Sequence, residues 1–133
     1  MNIKHLIFGL LFALFTASTG QAATNTVEIF YLPHPPAMAV VRDVENVIKK
    51  YSNIMVKKYN FDDPEVRDLL EKYQLKNHTP VAIFINGKHE FKIGSKKVVF
   101  ENFPKGDAFV PTFEGNWSYK DLDTVLKNLS GKN

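Results

Sequence analysis

The chain contains no cysteine among its 133 residues. That absence excludes a disulfide framework, a zinc–thiolate site, a lipid anchor attached through cysteine and every mechanism that needs a thiol. Concentrated positive charge is also lacking. Seventeen basic residues against fourteen acidic ones leave a net charge of +3, and no lysine or arginine run reaches five. Nucleic-acid binding therefore has no support in the composition. Long apolar runs are missing as well: Leu6–Phe15 spans ten residues, whereas crossing a bilayer core takes about twenty. There is no internal repeat and no low-complexity tract.

What is present is enough for one folded unit. Apolar residues make up 44% of the chain and aromatics 13%, which excludes a wholly disordered polypeptide and provides bulk for a core. The first residues read as an export signal. Lys4 and His5 precede the apolar run, and the polar stretch Thr16–Gln21 leads to Gly20-Gln21-Ala22, with small residues where a signal peptidase needs them. Cleavage after Ala22 is expected to leave residues 23–133 as a single domain, periplasmic or secreted, with no stable membrane anchor.

Along that domain, strand and helix patterns alternate. Thr26–Leu32 is rich in β-branched and aromatic residues and ends at Pro33, the pattern of a strand. From Ala37 to Tyr51 the apolar residues Ala37, Val40, Val41, Val44, Val47, Ile48 and Tyr51 recur at steps of three and four, as in an amphipathic helix. Asn53–Asn60 predicts a second strand. Asp62 or Asp63 is placed to cap a helix running to about Tyr73, with Pro64 and Glu65 in its first turn. Pro80–Ile85 is almost continuously apolar, as in a strand covered on both faces. Asn86-Gly87 is a strong hairpin signal, because both central turn positions need positive φ. One further strand is expected within His89–Phe100. Ser118 and Asp121 form a variant capping box opening a last helix that turns Leu122, Val125, Leu126 and Leu129 inward and stops at Gly131.

Three stretches, in this order and spacing, resemble the thioredoxin family. Val27–Ala37 is similar to the strand and active-site loop before the family's first long helix. Asn53–Asp62 is similar to the second core strand. Lys72–Gly87 is similar to the stretch carrying the family's cis-proline, here Pro80. The resemblance covers nearly all of residues 23–133 and implies an α/β fold, β-α-β-α-β-β-α. That fold would have a mixed four-stranded sheet with helices on both faces, plus an aromatic-rich excursion over residues 100–117 before the last helix. The family's Cys-x-x-Cys loop corresponds to His34-Pro35-Pro36-Ala37, and Ile29 stands where catalytic members carry a buried aspartate. Disulfide exchange requires an attacking and a resolving thiol, so the resemblance points to a redox-inactive member and not to an enzyme.

What the family retains without cysteine is a surface for an extended peptide beside the proline. His34, Pro36, Thr79 and Pro80 are the expected contacts for a periplasmic protein or peptide partner, with strand-like pairing at the Thr79–Pro80 edge. Phe109, Phe113 and Trp117 of the excursion are further candidates, although aromatics in such a loop can equally pin it to the sheet. An alternative is a copper or small-thiol (glutathione) binding protein using the same surface, with His34, Met38 and His78 converging on a metal. No His-x-His pair or methionine-rich run supports a metal, and no cofactor is expected. The lysines at 88, 92, 96 and 97 read as a solvated hairpin face that discourages edge pairing.

Overall fold

A computed structural model describes residues 23–76 and 78–131. The export signal assigned to residues 1–22 lies outside the described residues. The elements are β1 (Asn25–Tyr31), α1 (Pro35–Ile48), β2 (Ile54–Asn60), α2 (Arg67–Lys72) after a 3₁₀ turn at Pro64–Val66, β3 (Val81–Ile85), β4 (Glu90–Ile93), β5 (Lys96–Val99) and α3 (Tyr119–Leu129), which follows a 3₁₀ turn at Pro111–Phe113.

β1 is the middle strand. It pairs in parallel with β2, with Asn25 opposite Ile54, and antiparallel with β3, with Val27 opposite Ile85. The parallel pair requires a crossover, and α1 supplies it. Pro35 and Pro36 occupy its first positions, where no amide donor is needed. Its apolar stripe, Ala37 to Ile48, is buried against Val27 and Ile29 of β1, Ile83 of β3 and Leu122 and Leu126 of α3. Each fully buried valine or leucine in this layer contributes about 1.5–3 kcal/mol before entropy is counted. The opposite face carries Phe30, Ala82 and Phe84, covered by Val66 and α2. Helices therefore lie on both faces of the sheet.

The fourth strand does not form as one piece, and the sheet is not four-stranded. The structure has a three-stranded sheet ordered β2-β1-β3 and a separate two-stranded β4–β5 ribbon. Asn86 and Gly87 both adopt positive φ, at 51° and 79°, and make the expected tight turn. Only Lys88 then pairs back on Ile85 before the chain leaves β3. Gly94, at φ 61°, permits a second reversal, so β4 pairs with β5 instead. The place beside β3 is taken by Phe100–Asn102, whose hydrogen bonds include Ile83 N–H to the Phe100 carbonyl at 2.9 Å and Asn102 N–H to the Val81 carbonyl at 2.8 Å. A second turn-forming glycine eight residues after Asn86 thus converts one expected strand into a ribbon and an edge segment.

The last helix starts as expected. The Ser118 hydroxyl accepts from the Asp121 amide at 3.2 Å, and the Asp121 carboxylate accepts from the Ser118 amide at 2.9 Å. Gly131 adopts φ 59° just beyond its end. Leu129 departs from expectation: it is 41% exposed.

Candidate functional site

The β1–α1 loop ends at His34, the N-cap of α1, whose side chain makes no capping hydrogen bond. Its own N–H donates to the Leu32 carbonyl at 2.8 Å. The adjacent Leu32 N–H donates to the Pro80 carbonyl at 3.0 Å, which extends the β1–β3 pairing by one step and holds the loop against the start of β3. His34 and Ala37 are thereby brought next to Pro80. The two positions differ in setting: Ala37 is buried, whereas His34 and Pro36 are exposed.

The excursion over residues 100–117 closes the third side. The Phe103 N–H donates to the Phe113 carbonyl at 2.9 Å, and Gly115 N–H donates to the Phe103 carbonyl at 2.7 Å. Asn116 stitches its base to β5, accepting from the Val99 amide and donating to the Lys97 carbonyl. Trp117 is completely buried. Its ring N–H donates to the carbonyls of Glu101 and Asn102, each at 3.2 Å, and its ring meets Phe100 edge-on. A buried indole needs such partners, so Trp117 is a pin of the excursion and not a surface contact. Phe109, in contrast, is 84% exposed, and Phe113 is half-buried.

Between these three segments lies a cleft of about 350 Å³, within the range of small-ligand pockets. Leu32, His34, Pro36 and Ala37 form one wall, His78 and Pro80 a second, and Phe103, Phe109 and Phe113 the third. The lining is almost wholly apolar apart from the two imidazoles. Among the residues named from sequence, His34, Pro36, Pro80, Phe109, Phe113 and His78 meet here. Thr79, Met38 and Trp117 do not. Leu32 and Phe103 were missed: their residue types carry no functional signal, and only the fold turns them toward this space.

Two expectations about the proline change. No cis peptide bond occurs among the described residues, and the Thr79–Pro80 bond is trans, the form ordinarily favoured before proline by about 0.5–1 kcal/mol. The reversal is made upstream instead, where His78 adopts φ 75°. Thr79, 8% exposed, spends both donors internally: its N–H and its hydroxyl reach the Lys76 carbonyl at 3.3 and 3.0 Å. It has no donor left for an extended chain alongside.

The metal arrangement is likewise incomplete. His34 and His78 share the cleft, but Met38, 44% exposed, does not line it. Among the described residues no group of three histidine, aspartate or glutamate side chains is placed to hold an ion, and no helix is long and apolar enough to cross a membrane.

A second, polar cavity of about 410 Å³ adjoins the cleft across His78 and Phe113, which line both, and Lys76, Thr79, Glu101 and Thr112 are among its other walls. No family model matches the chain, nor does any curated protein.

Proposed function

We propose that the chain is an exported, redox-inactive thioredoxin-like domain that binds a partner protein by taking one of its apolar side chains into the cleft. The thioredoxin-like reading draws support from the order of elements, from the parallel β1–β2 pair bridged by α1 and from the antiparallel β3 entered through Thr79-Pro80. Export rests on the signal pattern of residues 1–22. The role is binding and not disulfide chemistry, because the positions corresponding to the two cysteines are His34 and Ala37 and the chain holds no thiol.

The observation that carries the reading is the apolar cleft at the head of α1, with Phe109 standing 84% exposed at its mouth. Because Phe109 also lines the cleft, it makes the cleft's apolar surface continuous with the outside, the kind of contiguous exposed patch that marks an interaction site. Recognition is chiefly through side chains, because the cleft offers an apolar lining and the Thr79 donors are committed to the Lys76 carbonyl. The test introduces a photo-crosslinking residue at position 109 and compares captured partners in wild type, Pro36→Arg and Lys120→Asp backgrounds. Adducts that persist with Lys120→Asp and vanish with Pro36→Arg are expected. Identical adducts in all three, with unchanged circular dichroism, would overturn this use of the cleft.

A further inference from the structure

His78 borders three depressions: the apolar cleft, the adjoining polar cavity and a smaller hollow with Leu32, Phe61 and Asp62. Its backbone sits at φ 75°, where a side chain is disfavoured and glycine would be at ease. Gln74 and Asn102, which border the polar cavity, are also left-handed, at 53° and 66°. Such conformations persist only where the surrounding structure over-determines them, and they cluster at ligand and active sites. Neither the imidazoles of His34 and His78 nor the ammonium of Lys76 makes a hydrogen bond or ion pair among the described residues. Glu101 is the acid of the polar cavity, and its carboxylate lies 3.4 Å from the ring nitrogen of His89, an ion pair only when that imidazole is protonated. Asp62 faces the small hollow and lines neither large cavity. Apart from Glu101, the ionisable side chains lining cleft and cavity are His34, His78 and Lys76, all bases.

We infer that His78 and Lys76 recognise a carboxylate adjacent to the apolar anchor in the partner, so that the bound segment is an apolar residue next to an acidic one. This rests on the cleft reading above. The anchor fills the apolar cleft, and the neighbouring acidic side chain passes the divide formed by His78 and Phe113 into the polar cavity. There the Lys76 ammonium and the His78 ring N–H donate to it. Such charge-assisted hydrogen bonds are the strong ones.

The test titrates the full chain with blocked tetrapeptides carrying phenylalanine, leucine or tryptophan before aspartate, and with their asparagine counterparts, by NMR up to about 5 mM. The aspartate peptides are expected to bind at least about tenfold tighter, ~1.4 kcal/mol. His78→Gly should remove that preference while Tm holds or rises, an outcome that a purely structural role for His78 would not produce. Lys76→Gln, an exposed substitution, should remove it too and keeps the test intact if His78→Gly disturbs folding. Equal affinity for both peptide sets, with cleft resonances shifting, would overturn the carboxylate assignment and leave the cleft reading standing. No shift at the cleft with any peptide would overturn both.

Discussion

Gly115 is required by close packing and not by a turn. A Cβ there would collide with the Glu101 carbonyl and lie 2.7 Å from the Phe103 carbonyl and 2.8 Å from the Trp117 ring. Backbone oxygens cannot step aside as a flexible side chain can. Gly115→Ala should cost at least about 2 kcal/mol in urea denaturation, with Trp117 fluorescence reporting a loosened excursion. Tyr73 is a second single-residue case. Its hydroxyl donates to the Glu28 carboxylate. That hydrogen bond first, and then burial, push its pKa from 10.0 up to about 12. A raised tyrosine pKa means that the folded state favours the protonated phenol. Its stabilisation is complete below pH 10 and is lost as pH rises towards about 12. Burial first, then the charges of Asp43 and Asp107, also push Tyr119 up to about 12. Tyr51 and Tyr59 are raised as well, in each case by burial first, so absorbance titration of tyrosinate should show late ionisation, with one of the latest groups lost in Tyr73→Phe. Stability between pH 10 and 12 should fall less steeply in that variant.

Among the elements, α3 has the best-defined start. Burial pushes the Asp121 carboxyl up, but hydrogen bonds from Lys96 and from the Ser118 hydroxyl and amide more than offset this, and its pKa lies below the ordinary value. The same carboxylate accepts from Lys96 of β5 at 3.0 Å, tying the ribbon to the helix. Ser118→Ala should cost about 1 kcal/mol, measured by urea denaturation. Because the folded-state pKa of Asp121 is lowered, its contribution is complete above the unfolded carboxyl range and is lost on acidification. The start of α3, the Asn86-Gly87 turn and the stripe of α1 were all legible beforehand, because each depends on residues within four or five positions of one another. The β4–β5 ribbon was not. Gly94 offered a reversal, but whether the chain after Asn86-Gly87 would stay on β3 depended on Phe100–Asn102 competing for the same edge.

The molecule has two apolar layers that share β1 and β3, and the larger one draws on α1, α3, β5 and the excursion together. No part of that layer is complete without the others, so unfolding should be a single transition. The tryptophan at position 117 is the chain's only one and is completely buried. Its fluorescence and far-ultraviolet circular dichroism should give coincident urea curves, a test of two-state behaviour. A fluorescence change well before the loss of helix signal would show that the excursion unfolds independently.

The chemistry available to the chain was determined by sequence alone: with no sulfur nucleophile, thiol exchange is excluded whatever the fold. So were most of the elements, the β4–β5 ribbon excepted, and the start of α3, because capping, turn and periodicity preferences act over one helical turn or one hairpin. The site divides differently. His34, Pro36 and Pro80 could be named in advance, but sequence could not distinguish the exposed Phe109 from the buried Trp117. Nor could it show that Thr79 had spent its donors on Lys76, or that His78 would be held at positive φ between two cavities. Burial and hydrogen-bond commitment depend on which distant segment lies opposite. Only the tertiary structure brings the β1–α1 loop, the turn before β3 and the excursion to one point.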